Sequence, residues 1–185
     1  YEFHKSLPGY TPTPLQSLPA LAKQLHLKRL WVKDESHRFD LNAFKILGAS
    51  YAVARILAQY LGLSAKNIHY NDIVAQATKY SHKTLVTATD GNHGRAVAWA
   101  AQKFGCKAQV YLPIGAAPER LAAIQAYGAG AEILPVEYDQ AVAHAAAMAE
   151  KQDWTLVQDT SWPGYQDIPN WILQGYFTLL NESLE

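Results

Sequence analysis

One cysteine, few long apolar runs and no excess of charge set the first limits on what this chain does. Cys106 has no possible intrachain disulfide partner, which agrees with a reducing, cytoplasmic setting. The chain has 16 basic and 16 acidic residues, so it lacks the positive field that attracts nucleic acid or an anionic membrane. An apolar run such as 96–101 is far shorter than the roughly 20 residues of a membrane span. We expect neither a nucleic-acid partner nor a membrane anchor.

Other sequence features are missing as well. The start of the chain, 1–5, has neither an apolar signal core nor an initiating Met, so secretion is not indicated and residues before Tyr1 are expected. The seven His show neither H-x-H nor H-E-x-x-H spacing, and one Cys cannot build a zinc site. No G-x-S-x-G occurs. We therefore expect no metal site and no serine nucleophile elbow.

Hydrophobic periodicity predicts alternating strands and helices. The predicted elements are helix 17–25, strand 30–32, a helix from 43, strand 84–87, helix 94–104, strand 108–112, helix 118–127, strand 131–135, helix 138–151, strand 155–158 and helix 171–184. Short connections in a βαβα order predict an α/β fold, with a parallel sheet between helices. Five tryptophans are expected to pack in the core, Trp162 nearest a site: Trp31, Trp99, Trp154, Trp162 and Trp171.

The most specific stretch is a glycine-flanked polar turn, T-A-T-D-G-N-H-G-R over 87–95, between a predicted strand and a predicted helix. Ligands bind at the carboxyl ends of parallel strands, and free N–H groups at a helix start favour an anion. The turn therefore predicts a carboxylate or phosphate site. The alternative is a plain tight turn in which Asn92 caps the helix. The stretch is neither a dinucleotide fingerprint nor a P-loop, because G-x-G-x-x-G and G-K-[ST] are both missing.

Lys45 and Asp159 are the other candidates for chemistry. Lys45 lies in the apolar stretch 43–47 at a predicted helix start, where desolvation favours loss of its proton. Such an amine can form a Schiff base, although a lysine at a helix start is also an ordinary surface charge. Asp159 follows a predicted strand and is expected at the same sheet edge as Asp90, unless it only caps a turn.

Four short motifs occur together in an order that resembles a known family. They are P-T-P-L at 12–15, V-K-D-E-S at 32–36, N-A-F-K at 42–45 and T-x-x-x-G-N-H-G at 87–94. In this order and at these separations they resemble the tryptophan-synthase-β-like, fold-type-II pyridoxal-phosphate enzymes, which include serine and threonine dehydratases. The resemblance extends over almost the whole chain. It implies pyridoxal 5'-phosphate as the cofactor and parallel sheets with helices on both faces.

The resemblance also implies roles for individual residues. Lys45 is expected to be the Schiff-base lysine, and its neighbour Phe44 is also expected beside the cofactor. Asn92 is expected to hydrogen-bond the phenolic oxygen of the cofactor. The turn from Thr89 to His93 is expected to hold the carboxylate of an amino-acid substrate. The residues expected to contact this substrate are Thr89, Asp90, Gly91, His93 and Asp159.

One difference from the serine and threonine dehydratases narrows the choice of enzyme within the family. Serine and threonine dehydratases usually carry Ser where this chain has Asp90. By contrast, T-D-G-N-H-G at 89–94 and Q-D-T-S-W-x-G-Y at 158–165 resemble the diaminopropionate ammonia-lyases. This resemblance implies α,β-elimination of ammonia from D- and L-2,3-diaminopropionate to give pyruvate and ammonia. An acidic residue suits that substrate, because it can act as a base on the face opposite Lys45 or pair with the extra ammonium.

The mechanism that this resemblance implies divides the work among three catalytic candidates. Lys45 is expected to remove the α-proton of the L-isomer, and Asp90 that of the D-isomer. The pyridine ring of the cofactor accepts the electrons. Asp159 is expected to orient or protonate the departing β-amine.

Domain organisation follows from the same resemblance. Residues 1–58 are expected to begin a larger cofactor-binding domain, 59–152 to form a smaller open α/β domain, and 153–185 to return into the larger one. The glycine-rich phosphate loop and the partner of the pyridine nitrogen are expected after helix 171–184. We therefore expect an N-terminal fragment of a protein about twice as long, which binds cofactor weakly or not at all by itself. The family also implies a homodimer.

Two alternative functions remain open. A serine or threonine dehydratase, or a racemase, of the same fold would use the same cofactor, and Asp90 argues against it. A non-catalytic α/β module would bind an anionic metabolite or a partner through the turn 90–94. Borohydride reduction distinguishes an enzyme from such a module, because only the enzyme would trap cofactor on Lys45.

Overall fold

A parallel β-sheet lies at the centre of the molecule. The computed structural model describes residues 1–185. The strands are β1 (Leu15–Ser17), β2 (Trp31–Lys33), β3 (Thr84–Ala88), β4 (Lys107–Leu112), β5 (Gly130–Ile133) and β6 (Thr155–Leu156). The helices are α1 (Glu2–Lys5), α2 (Pro19–Gln24), α3 (Lys45–Tyr60), α4 (Tyr70–Val74), α5 (Asn92–Phe104), α6 (Pro118–Gln125), α7 (Tyr138–Gln152) and α8 (Asp167–Leu184). None of these helices has the length and apolar character needed to cross a membrane.

The strand order places helices on both faces of the sheet. Four strands run parallel in the order β5-β4-β3-β6, and α5, α6 and α7 connect them in turn. Successive side chains of a strand point to opposite faces, so Leu85 joins a cluster of 29 buried residues while Val86 joins a cluster of five. α7 covers the second face with Ala141 and Ala145. β1 and β2 form a separate antiparallel pair.

The predicted α/β fold is confirmed, and two differences at element ends have clear causes. β6 ends at Leu156 rather than at 158. The side chain of Gln158 continues the hydrogen bonding, because its Oε1 accepts from the N–H of Ala88 at 3.0 Å. α8 begins at Asp167 rather than at 171, since Pro169 is well tolerated in the first turn of a helix. The domain boundaries at 58 and 152 stay a prediction.

Five tryptophans were expected to pack in the core, and three of them do. Trp99 is 4% exposed, and Trp154 and Trp171 are partly buried against the two core clusters. Trp31 is 51% exposed on the antiparallel pair of strands. Trp162 stacks on Tyr165, with ring centroids 4.4 Å apart, and lines a different cavity from the polar pocket described below. Aromatic content alone therefore did not identify which rings are buried.

The two longest helices, α3 and α8, cross with their backbones in contact. A Cβ atom on Gly175 would lie 2.8 Å from the Cα of Gly48. A Cβ atom on Gly48 would lie 2.5 Å from Cε1 of Tyr176 and 2.8 Å from a backbone oxygen of α8. No side chain fits at either position without a shift of the helices. This contact fixes the start of α3, where Lys45 is the first helical residue, relative to α8.

A buried ion cluster joins the end of α8 to the N-terminal part of the chain. Glu182 is 8% exposed and accepts hydrogen bonds from Arg38 at 2.7 and 2.8 Å. Lys33 and the hydroxyl of Tyr10 also approach its carboxylate, each at 2.7 Å. Burial acts to raise the pKa of Glu182, but these donors outweigh it and lower the pKa to about 2. The carboxylate is therefore ionised in the folded protein.

Candidate active site

A polar pocket of about 340 Å³ lies at the carboxyl edge of the parallel sheet. Its walls come from the start of α3, the turn after β3, the first turns of α6 and α7, and the segment after β6. Nine residues line it: Lys45, Thr89, Asp90, Gly91, Asn92, His93, Arg120, Tyr138 and Asp159. The structure thus brings together every sequence-predicted site residue except Phe44.

The turn between β3 and α5 is shaped by Thr89. Its buried hydroxyl oxygen accepts hydrogen bonds from the N–H groups of Gly91 at 2.9 Å and Gly94 at 3.1 Å. The N–H groups of Asn92 and His93, which lie between them, have no partner in the chain. Unpaired N–H groups and the helix dipole favour an anion at this position. The predicted carboxylate or phosphate site therefore has the geometry that its chemistry needs.

Lys45 and Asp159 form an ion pair at the floor of the pocket. The Nζ of Lys45 donates a hydrogen bond to Oδ2 of Asp159. Their side chains are 34% and 16% exposed, so the pair is only partly shielded from solvent. The same two residues line a second cavity of about 300 Å³ together with Ser161, Asn170 and Tyr176. The lysine amine is therefore accessible from two cavities.

His93 is buried behind this ion pair and is 3% exposed. Its Nε2 donates to the carbonyl oxygen of Val157 at 2.7 Å, while Nδ1 has no hydrogen-bond partner and lies 3.7 Å from Oδ2 of Asp159. Burial lowers the pKa of His93, so the imidazole is neutral. Burial acts to raise the pKa of Asp159, but the ammonium of Lys45 holds that pKa below its ordinary value.

Asp90 has an exposed side chain, whereas its backbone is held in place. Its carbonyl oxygen accepts a hydrogen bond from Nη1 of Arg120 at 2.5 Å. The side chain of Arg120 also covers Gly91, where a Cβ atom would lie 3.0 Å from the Cδ of Arg120. The pocket thus presents a free carboxylate on a turn that a guanidinium steadies.

Arg120 and Tyr138 line the pocket but were not identified from the sequence. Each lies in the first turn of a helix that follows a strand of the sheet. Burial raises the pKa of Tyr138, and its hydroxyl accepts a hydrogen bond from Nε2 of Gln158 at 3.1 Å. Their position was the available signal, since first helical turns after parallel strands face the ligand-binding edge.

Phe44 is the one predicted site residue that lies outside both cavities around Lys45. It is 40% exposed, and its ring packs edge-on against Tyr176 with centroids 5.0 Å apart. A role in cofactor binding stays a prediction for this residue.

Residues 6–185 match the sequence profile of the family described as pyridoxal-phosphate dependent enzyme. The chain belongs to this family. Family membership accounts for a lysine and a helix N-terminus in one pocket, because an amine can hold the aldehyde of the cofactor and N–H groups can hold an anionic group.

Relatives within the pyridoxal-phosphate family are similar to this chain along its whole length. Diaminopropionate ammonia-lyase of Salmonella typhimurium is 48% identical over 99% of the chain, and that of Escherichia coli K12 is 44% identical over all of it. The crystal structure of the Escherichia coli enzyme in complex with D-serine superimposes with a TM-score of 0.93 over 99% of this chain and 46% of that one. The chain spans 46% of the length of both curated relatives.

The residues of the pocket fit the family's cofactor. Lys45 supplies a primary amine that faces two cavities, and the start of α5 supplies unpaired N–H groups. His93 adds a buried nitrogen without a hydrogen-bond partner, 3.7 Å from the carboxylate that pairs with the amine. Lys45 would hold pyridoxal phosphate covalently, and Asn92 would contact it from the turn.

Proposed function

We propose that this chain provides the lysine-bearing part of a pyridoxal-phosphate-dependent ammonia-lyase acting on D- and L-2,3-diaminopropionate. The observation that carries the proposal is a free carboxylate, Asp90, in the same pocket as the amine of Lys45. Identities of 48% and 44% to diaminopropionate ammonia-lyases support it. A diamino substrate has a β-amino group where a hydroxy amino acid has a hydroxyl, and the added carboxylate can accept a hydrogen bond from that amino group.

The reaction then divides among several groups of the pocket. The unpaired N–H groups at the start of α5 bind the substrate carboxylate, and Thr89 holds that turn in shape. Lys45 takes the α-proton of the L-isomer, and Asp90 takes that of the D-isomer. Asp159 protonates the departing β-amine. The bound cofactor supplies an electron sink for the α-carbon.

The setting of the whole protein is part of the proposal. We propose a cytoplasmic homodimer, as the family resemblance implies. Sedimentation equilibrium of the natural-length protein tests the dimer, and a mass equal to a single chain would contradict it.

Trapping of the cofactor is the first test of the enzyme class. The natural-length protein is mixed with pyridoxal phosphate, its visible spectrum is recorded, and the mixture is reduced with borohydride and mapped by peptide mass. We expect a reduced adduct on Lys45 and none in a Lys45→Arg variant at that position. No adduct on any lysine would overturn the assignment and favour a non-catalytic binding module.

The substrate is tested by product release. Ammonia and the 2-oxo acid product, pyruvate or, from threonine, 2-oxobutyrate, are measured with D-diaminopropionate, L-diaminopropionate, L-serine and L-threonine at equal concentrations. We expect the largest kcat/KM with diaminopropionate. Faster release from serine or threonine would identify a dehydratase, and inversion of an isomer without ammonia release would identify a racemase.

A further inference from the structure

His93 has a nitrogen lone pair that lacks a partner and faces a carboxylate. The carbonyl oxygen of Val157 can only accept a hydrogen bond, so Nε2 of His93 carries the proton. In a neutral imidazole Nδ1 then carries the lone pair. That atom is buried without a hydrogen-bond partner, 3.7 Å from Oδ2 of Asp159. Two acceptors therefore face each other in the resting pocket.

A proton on Asp159 would satisfy both atoms. An unpaired buried acceptor costs about 1–3 kcal/mol, and the O–H of a protonated Asp159, whose Oδ2 lies 3.7 Å away, is a donor that could remove this cost. The charged groups that face His93 are Asp159, after β6, and Lys45, at the start of α3. The hydroxyls of Tyr138, Tyr165 and Tyr176 lie around Asp159.

The ion pair with Lys45 explains why an acceptor is needed. A carboxylate that is paired with an ammonium is held in its ionised form, and an ionised Asp159 cannot protonate a leaving group. Once the proton of Lys45 moves to Asp159, the lysine charge is gone and the new acid requires a hydrogen-bond acceptor. Nδ1 of His93 lies against the same oxygen, Oδ2, that contacts Lys45.

We propose that Nδ1 of His93 is the acceptor that stabilises Asp159 in its protonated form while Asp159 carries a proton from Lys45 to the departing β-amine. The inference rests on the proposed function. For the L-isomer, Lys45 takes the α-proton and passes one proton to Oδ2 of Asp159. The electron pair left on the α-carbon then forms the Cα=Cβ bond as the Cβ–N bond breaks. The pair of the broken bond stays on nitrogen, and Asp159 gives its proton to that nitrogen. Ammonia leaves, and Asp159 and Lys45 return to carboxylate and neutral amine.

A comparison of leaving groups tests this positioning role. His93→Gln keeps an N–H near Val157 and removes Nδ1. We expect kcat for L-diaminopropionate to fall roughly tenfold to a hundredfold at neutral pH, within the range of a lost proton-transfer contribution. β-Chloroalanine loses chloride, which needs no proton, so its kcat is expected to change by less than about twofold. The decrease in kcat of His93→Gln with diaminopropionate is expected to become smaller as the pH falls, because the β-amine of the substrate is then already protonated when it binds.

The exposed His82 provides a matched control. His82→Gln is expected to leave kcat for both substrates unchanged within about twofold. Equal losses of kcat for both substrates in His93→Gln, or a loss that does not depend on pH, would overturn the inference. If the wild-type protein releases no ammonia from diaminopropionate, the proposed function fails, and the spectroscopic test below decides the inference independently of catalysis.

Nitrogen NMR of the cofactor-free, natural-length protein with ¹⁵N-labelled histidine provides that test. Loss of one signal pair in His93→Gln assigns the residue. At neutral pH we expect a protonated Nε2 and a lone pair on Nδ1. In Lys45→Met, which lacks the ammonium, Asp159 is expected to take up a proton, and the Nδ1 signal should move to that of a hydrogen-bond acceptor. A protonated Nδ1 in the wild type, or an unchanged signal in Lys45→Met, would contradict the proposal.

Discussion

In the pocket, the residues that hold the backbone in place are different from those that carry the reactive groups. The turn that carries Asp90 is held by the hydroxyl of Thr89 and by the guanidinium of Arg120. Both act on backbone atoms, and the carboxylate of Asp90 takes part in neither contact. A change confined to that carboxylate should therefore leave the turn in place.

The isomer dependence of Asp90→Asn follows from this separation. We expect kcat for D-diaminopropionate to fall about a hundredfold or more, the usual effect of losing a positioned base. Turnover of the L-isomer, which depends on Lys45, is expected to fall far less. Ammonia release measured with each isomer separately gives the ratio, and exposed Asp139→Asn is the matched control. Comparable losses for both isomers would contradict the assignment of two bases.

The reactive residues could be predicted from the sequence better than the residues that support them. Lys45 and the turn around Asp90 were recognised because four short motifs occur together in an order that resembles a known family. Arg120 and Tyr138 have ordinary neighbours in sequence and reach the pocket only because β4 and β5 end at the same edge as β3. Their recognition required the strand order, which local periodicity does not contain.

At the scale of elements, the approach of α5 to the sheet depends on Gly94. A Cβ atom there would lie 2.6 Å from Cγ1 of Val110 and would also overlap the side chain of Thr89. β4 and the start of α5 are therefore closer than any larger residue allows. The same contact aligns the N–H of Gly94 with Thr89.

Gly94→Ala is expected to destabilise the fold by about 1–3 kcal/mol, as overpacking of a tight core contact does. It should also weaken cofactor binding, because Thr89 must shift. Urea unfolding and a cofactor titration measure the two effects. Gln102→Ala, at an exposed position of the same helix, is expected to change neither. Unaltered stability of Gly94→Ala would show that the helix can move away at little cost.

Helices and strands with regularly spaced apolar residues were predictable from the sequence. Those whose ends depend on contacts with other parts of the chain were not. β3, β4, α5 and α7 have apolar residues at regular spacing, and their bounds were found within two residues at each end. β6 was predicted too long because the side chain of Gln158 replaces part of the ladder. α4 was missed because five residues with one buried side chain, Ile73, give no measurable period.

At the scale of the whole molecule, Glu182 connects parts of the chain that are far apart in sequence. It joins α8 to Arg38 and Lys33, which lie more than a hundred residues earlier. Glu182→Gln keeps the shape of the side chain, removes the carboxylate that Lys33 contacts and leaves Arg38 with Glu35 as its remaining counter-charge. Removal of one partner of a buried ion pair costs roughly 3–5 kcal/mol. Urea unfolding at neutral pH should show this loss, and exposed Glu150→Gln should not.

The pH dependence of stability checks the same cluster. The pKa of Glu182 is lowered from 4.5 to about 2 on folding, so its contribution is complete above pH 4.5 and is lost as the pH falls toward 2. The difference in unfolding free energy between the wild type and Glu182→Gln should therefore narrow over that range. A constant difference down to pH 2 would show that the carboxylate charge is not what stabilises the cluster.

The contact between Gly48 and Gly175 has a consequence for directed evolution. Random variants selected only for solubility would lose nearly every change at these two positions, because the backbones of α3 and α8 touch there. The same selection would tolerate changes at Asp90, whose side chain is exposed. A screen for folded protein and a screen for altered substrate preference would therefore select changes at different positions. A library can keep Gly48 and Gly175 fixed while Asp90 is randomised.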